Sequence, residues 1–405
     1  MVQSMPWIAG VLALTTGCRA IDDVAEELLQ TPVGRCVLVL PESRAAEPEI
    51  VAHAGRLRAS GLDVSTVTFR VGDPVEIRHL DVARGLGAFS PMGRSPAAAL
   101  IVATDDELPF PRWKLGETGR TVDSDWPLLL GPEIVASGAL PRGRWFDVFE
   151  DDVPWIIGRV PFAKPARIGA ALAEASATRS RRGLLGAERH LVWFDSSWVL
   201  EDACDALEDE QWETVLYGED WPRDEALSEE TEPAFLNRWA DDAPSLVVVN
   251  AHGSAMFDLS IGEHLIGPRL LDLYGHREGR TSVGPVSPAV LVAASCQAGA
   301  PWTETFQRLF DEGWVRAVIA PTESTEPTPL AAAIDVQVDF AALVGSGVPL
   351  GLAVRGAVRR YVAQAHGSVA HFVFDSTEVA MAVNALSVHV FGDPLARATT
   401  PGADR

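Results

Sequence analysis

Two short apolar runs end in residues able to do nucleophilic chemistry. Leu246 to Asn250 (LVVVN) leads into Ala251-His252-Gly253-Ser254, and Ala289 to Ser295 (AVLVAAS) leads into Cys296-Gln297-Ala298-Gly299. A thiol attacks only as the thiolate, and a nearby imidazole holds the ionised form and later protonates a leaving amine. Both runs read as strands buried on two faces of a parallel sheet, and in such sheets the ligand site lies at the carboxyl ends. The 44 residues from His252 to Cys296 leave room for one crossover with a short helix over Pro268 to Tyr274. The two strands can therefore be neighbours with both side chains on one rim. Gly253 and Gly299 would let the backbone approach a substrate closely, and the N–H groups of Gly253 and Cys296 would face a developing oxyanion. The plainer reading is a cysteine packed as a small core residue and a histidine in a turn. Spacing alone does not choose between them.

The elements that must position these residues alternate between β-branched runs and amphipathic stretches, the pattern of α/β units. In the first half, strands are expected at Cys36 to Leu40, Leu62 to Phe69, Ala97 to Ala103 and Trp155 to Val160, with a helix over Glu47 to Ser60. Thr104 to Pro154 is rich in Pro, Gly, Trp and acids and reads as surface loops around a few short strands. Gly85-Leu86-Gly87-Ala88-Phe89-Ser90 half matches a dinucleotide loop but lacks its third glycine and a preceding strand, and reads as a turn. A helix starts at Pro165 and runs to about Arg181, and Arg179 to Gly183 reads as its end and a linker. Six strands are expected after it: His190 to Phe194, Glu213 to Tyr217, Leu246 to Asn250, Ala289 to Ser295, Arg316 to Ala320 and Ser387 to Phe391. Helices over Val199 to Leu207, Pro301 to Phe310, Leu330 to Leu343 and Leu350 to Ala363 separate most of them. The chain thus divides into an arm (1–36), a smaller α/β subdomain (37–182) and a second α/β subdomain (183–400).

Composition narrows the function. The 405 residues are 47% apolar, and 33 Lys plus Arg stand against 56 Asp plus Glu, a formal net charge of -23 that repels phosphate backbones. Nucleic acid is not an expected partner. Cys18, Cys36, Cys204 and Cys296 are spaced by 18, 168 and 92 residues, so the chain holds no CxxC pair and fits a reducing compartment. Thr16-Gly17-Cys18 only faintly matches a lipoprotein cleavage site, with no Lys or Arg before it. A cytoplasmic protein with an N-terminal strand or arm is expected, the alternative being a lipid anchor at Cys18. No run approaches the roughly 20 apolar residues of a membrane span. The remaining histidines form no HExxH or His/Cys cluster, so no metal is expected, and no GxSxG supports a serine hydrolase. The twelve tryptophans read mainly as packing residues.

Five segments in order resemble the gingipain-type cysteine peptidases of the caspase-hemoglobinase fold. His252-Gly253-Ser254 resembles the family's catalytic histidine motif and Ala294-Ser295-Cys296-Gln297-Ala298-Gly299 its nucleophile motif. Val390-Phe391-Gly392-Asp393-Pro394-Leu395 looks like the segment closing its catalytic domain. Ile157-Gly158-Arg159-Val160-Pro161 and Ala99 to Val102 leading into Asp105 to Pro109 resemble parts of its N-terminal subdomain.

The resemblance implies a caspase-like, doubly wound, mainly parallel six-stranded sheet preceded by the smaller α/β subdomain. It also implies an endopeptidase in which Cys296 is the nucleophile and His252 the general acid/base, with an oxyanion site at Gly253 and Cys296 and no dissociable cofactor. By the family's pattern Asp195, Glu201, Asp202 and Glu323 lie where the pocket for the residue before the cut is shaped. Asp202 is the nearest match to the acid that binds an arginine there, so cleavage after a basic residue is expected. Helix capping or plain solvation is the alternative for these acids. A protein or peptide is the expected partner, a membrane is not, and an activating partner of unknown identity is compatible with the reading. The layout suits a selective intracellular protease better than a digestive secreted one. A catalytically silent relative that binds a peptide or partner protein in the same cleft is the alternative.

Overall fold

The computed structural model describes residues 21–89, 95–150, 155–173, 181–187, 197–217, 234–251, 253–254, 259–261, 266–278, 288–293, 296–300, 303–323, 330–369 and 375–398. After a helix α1 (21–30) the first half contains β1 (Arg35–Pro41), α2 (Pro48–Ala59), β2 (Asp63–Phe69), α3 (Val75–Ala88) and β3 (Ala97–Val102). β4 (Arg112–Leu115), β5 (Thr121–Asp123), α4 (Pro132–Ser137) and β6 (Ala139–Leu140) follow, then β7 (Trp155–Val160) and α5 (Pro165–Ala171). The second half contains β8 (Arg182–Ala187), α6 (Ser197–Asp209), β9 (Glu213–Tyr217), α7 (Ala234–Asp242), β10 (Leu246–Asn250), β11 (Gly253–Ser254) and β12 (Leu259–Ile261). It continues through α8 (Pro268–Glu278), β13 (Ala289–Ala293), α9 (Glu304–Asp311), β14 (Val315–Pro321), α10 (Leu330–Gly345), α11 (Leu350–Val369), α12 (Asp375–Ser387) and β15 (Val388–Phe391).

Ten strands form one sheet in the order β2-β1-β3-β7-β15-β14-β13-β10-β8-β9. The last six are the sheet of the second half, and β15 joins them to the four strands of the first. β15 is parallel to β7 but antiparallel to β14, so the two halves run in opposite directions. One rim is consequently built from the carboxyl ends of β14, β13, β10, β8 and β9 together with the start of β15. β3, β7, β13 and β14 are buried along their whole length. Such runs need helices on both faces, which explains their largely apolar character, with Arg159 in β7 and Arg316 in β14 as buried exceptions. α10 packs between α6 and α11, while α5 packs between α2 and α9. A separate small sheet, β5-β4-β6, projects from the loop-rich segment and contacts α12.

Two of the motifs that resemble the family meet at the seam between the halves. Gly392 donates its N–H to the carbonyl of Arg159 (2.8 Å), and a Cβ on Gly158 would stand 2.6 Å from Pro394 Cδ and 2.7 Å from the Gly392 carbonyl. Gly392 itself has φ +129°, which a side chain would strain. These glycines therefore serve close packing of the seam. The Arg159 guanidinium is buried, paired with Asp125 by Nε–Oδ2 (2.7 Å) and Nη2–Oδ1 (2.6 Å), and lies 4.0 Å over the Phe110 ring. Asp125 in turn donates its backbone N–H to His389 Nε2 (3.1 Å), and His389 Nδ1 lies 2.7 Å from the Ser387 carbonyl. With Nε2 accepting, the imidazole proton sits on Nδ1.

Several expectations are corrected. The segment from Arg179 to Gly183, read as helix end and linker, enters β8 at Arg182, and β8 pairs with both β9 and β10. The strand expected at His190 to Phe194 lies outside the described residues. Gly85 to Ala88 is the end of α3 and not a turn, because the missing Cβ of Gly85 lets the helix sit on Val67, whose Cγ1 would be 2.4 Å away. α5 spans only Pro165–Ala171. Among the described residues no helix is long and apolar enough to cross a membrane.

Candidate active site

β10 and β13 are parallel neighbours, with Val249 opposite Ala293. His252 follows Val249 by three residues and Cys296 follows Ala293 by three. The two adjacent strands thus end at one level of the register and at one rim. His252 itself lies outside the described residues, as does Asp195. Gly253 starts β11 and is paired with Ile261 of β12.

Cys296 is half-buried at the start of a turn covering Cys296 to Gly299 and is not in a disulfide. Gln297 takes φ +57°, the left-handed region, and donates its N–H to the Glu323 carbonyl (3.0 Å). Gly299 donates to the Pro321 carbonyl (2.9 Å) and Ala300 to the Gln297 carbonyl (3.0 Å). These donors are spent on protein oxygens, which leaves them no part in an oxyanion site; the expected donor, the Cys296 N–H, is none of them. The expectation that Gly299 admits a substrate is corrected. Its missing Cβ is needed against the protein itself, since it would stand 2.6 Å from Phe391 Cε2 and 3.0 Å from the Ala320 carbonyl. Gly299→Ala is accordingly expected to cost about 1–3 kcal/mol by overpacking, read as a lower urea midpoint at unchanged slope.

Of the other thiols, Cys36 is fully buried on β1, and burial together with Asp393 pushes its pKa far up, so it is no nucleophile. Cys204 is half-buried on α6.

The candidate specificity acids occupy different places. Asp202 is half-buried in α6, and burial, then the neighbouring Asp205, push its carboxyl above the usual range. Glu201 is exposed on the same helix. Glu323, two residues past β14, is brought directly against the turn that carries Cys296 through its carbonyl bond to Gln297. Its Oε1 accepts the Asp123 N–H (3.2 Å), and burial and then Asp123 push its carboxyl up.

Sequence reading missed the contribution of the first half to this rim. β5 reaches across so that Asp123 meets both Thr322 and Glu323, and Arg112 grips the Asp123 carboxylate with two bonds of 2.8 and 2.7 Å. The only available signal was the clustering of charge in an irregular segment. Among the described residues no group of three or more His, Cys, Asp or Glu side chains is placed to hold a metal ion.

Comparison of the whole chain with solved structures settles the architecture. The chain superposes on the Arg-specific cysteine proteinase gingipain R with a TM-score of 0.61 at 12% sequence identity, covering 90% of this chain and 78% of that one. The chain has the gingipain-type fold. The complex of Porphyromonas gingivalis RgpB pro- and mature domains superposes with a TM-score of 0.60 at 12% identity, over 90% of this chain and 80% of that one. A further structure, described as a protease, gives 0.54 at 12% identity, over 90% and 78%. No protein-family model and no curated protein matches by sequence. The chain therefore shares the fold of these structures, as the resemblance implied.

Proposed function

We propose that the protein is a cysteine endopeptidase that cuts after a basic residue, with Cys296 as nucleophile and His252 as general acid/base. The observation that carries this reading is the register of β10 and β13, which ends both strands at one rim with each candidate three residues beyond the Val249–Ala293 pair. A protein or peptide is the substrate, and the chemistry requires no dissociable cofactor.

Basic-residue preference rests on Asp202. Its carboxylate is made costly by burial and by Asp205, and a guanidinium or ammonium from the substrate relieves that cost. Glu323 is partly committed to Asp123, and Arg112 is already engaged. Gly253 and Cys296 remain the proposed oxyanion donors, and Asp195 a proposed pocket residue.

The test is a fluorogenic peptide library varied at the residue before the cut. Arg and Lys peptides should dominate turnover. Asp202→Asn should lower kcat/KM for them about tenfold or more, with little change for neutral residues. A library with no basic preference would remove the specificity claim. Silence from the wild type, with Cys296 alkylated no faster than Cys204, would instead favour the peptide-binding alternative.

A further inference from the structure

The turn after the candidate nucleophile is held in a conformation that few non-glycine residues adopt, Gln297 at φ +57°. Such a conformation persists only where neighbours over-determine it. Here the holding group is the Glu323 carbonyl, which accepts the Gln297 N–H at 3.0 Å. The position of that carbonyl is constrained by the bonds of Thr322 before it and of the Glu323 side chain. Thr322 donates its N–H to the Ser387 carbonyl (2.9 Å) and its Oγ1 to the Asp123 carbonyl (2.9 Å). The Glu323 carboxylate takes the Asp123 N–H (3.2 Å), and Asp123 is clamped by Arg112. An unbroken chain of bonds thus runs from the exposed Arg112 on β4, through β5 and the end of β14, to the residue beside Cys296.

The geometry points to Glu323 as a positioning residue: its side chain ties the small β5-β4-β6 sheet to the nucleophile turn and so sets the aim of Cys296, in place of the substrate contact expected for it from sequence. This inference rests on the reading of Cys296 as the nucleophile. It makes the seam between the two halves part of the catalytic apparatus, because a shift of β5 is transmitted to Gln297 through two hydrogen bonds.

The full-length wild type, Glu323→Ala and Glu323→Gln are compared in two assays. One is the rate of Cys296 alkylation by iodoacetamide, a reagent with no side chain for a specificity pocket. The other is kcat and KM on peptides bearing arginine or norleucine before the cut. Glu323→Ala should slow alkylation and kcat about tenfold, with KM and the arginine-to-norleucine ratio unchanged within about twofold. Glu323→Gln keeps an acceptor oxygen for the Asp123 N–H and should restore both rates to within about twofold. Loss of arginine preference in both variants at unchanged alkylation would overturn the inference and return Glu323 to the substrate pocket. Wild-type behaviour of Glu323→Ala would also overturn it.

If the wild type shows no turnover, the peptidase reading fails separately, and the alkylation rates alone still decide the positioning role. If Glu323→Ala does not fold, Arg112→Gln, at an exposed side chain, is read the same way: slower alkylation of about threefold supports the chain of bonds, and an unchanged rate overturns it.

Discussion

Cys296→Ala is expected to abolish peptide hydrolysis, by about 10⁴-fold or more in kcat/KM, while leaving the urea midpoint nearly unchanged. The proposed reaction explains the size of the effect. The Cys296 thiolate attacks the scissile carbonyl carbon and gives a tetrahedral oxyanion. The C–N bond then breaks as the His252 imidazolium gives its proton to the leaving amine, and a thioester remains on Sγ. Water, deprotonated by His252, attacks the thioester; the peptide acid leaves and the thiolate returns. Alanine removes the atom on which every covalent step is built, so no partial pathway survives through the acyl-enzyme. His252→Ala should lose about 10²- to 10⁴-fold, the usual contribution of a positioned general acid/base. Cys36→Ala is the matching control, because that thiol is fully buried and its pKa is pushed far up by burial, and its removal should leave kcat/KM unchanged. Rapid mixing followed by intact-mass measurement should capture the acyl adduct in wild type alone. Retention of more than about a tenth of the activity in Cys296→Ala would end the assignment, since no single-residue nucleophile tolerates its own removal.

The elements easiest to read in the sequence are those whose environment is uniform. β3, β10, β13 and β14 are covered on both faces, so apart from Arg316 in β14 and the terminal Asn250 of β10 their residues are apolar and the run itself marks the strand. β8 escaped because two glycines, Gly183 and Gly186, dilute the run RGLLGA. The structure gives the reason for Gly186, where a Cβ would stand 2.7 Å from the Phe235 ring of α7. α3 was hidden in the same way by Gly85, which trades helix propensity for contact with Val67. Glycine chosen for close approach looks, in one dimension, like glycine chosen for a turn. α7, α12 and the helix at 21–30 were not singled out either.

At the site, the two candidate residues could be picked out because each stands just after a readable strand. Their support could not, because it comes from Asp123, 173 residues before Cys296, and acts through backbone groups that carry no sequence signature. Gly299 shows the same limit: its neighbours Phe391 and Ala320 belong to other strands, so its role could be seen only once the sheet order was known.

The seam that aligns the two halves should be the most fragile polar feature of the protein. The Arg159 guanidinium and Asp125 carboxylate are about 1% and 0% exposed, paired by two charge-assisted bonds, with Arg159 also donating to the Leu108 carbonyl (2.6 Å). Asp125→Ala leaves that guanidinium buried without its counter-charge and is expected to cost about 3–5 kcal/mol. Arg159→Met combined with Asp125→Ala should recover most of this loss, because an apolar side chain of similar length can lie on Phe110 without a charge to solvate. A double variant as unstable as Asp125→Ala would show that the lost stability lies elsewhere. His389, in contact with this pair through the Asp125 N–H, adds a pH dependence of definite sign. Burial, against the opposing pull of Asp125, holds its pKa down at about 4, below the ordinary 6.5. Between those values the unfolded chain binds the proton and the folded one does not. The contribution is therefore complete above pH 6.5 and lost as pH falls toward 4, a total of roughly 3 kcal/mol. His389→Gln keeps an acceptor for the Asp125 N–H and does not titrate, so its urea midpoint should fall less between pH 7 and pH 4.5 than that of the wild type. Equal slopes in the two proteins would remove His389 from the account; buried Asp393, whose pKa burial raises, acts with the opposite sign and cannot supply the acid loss.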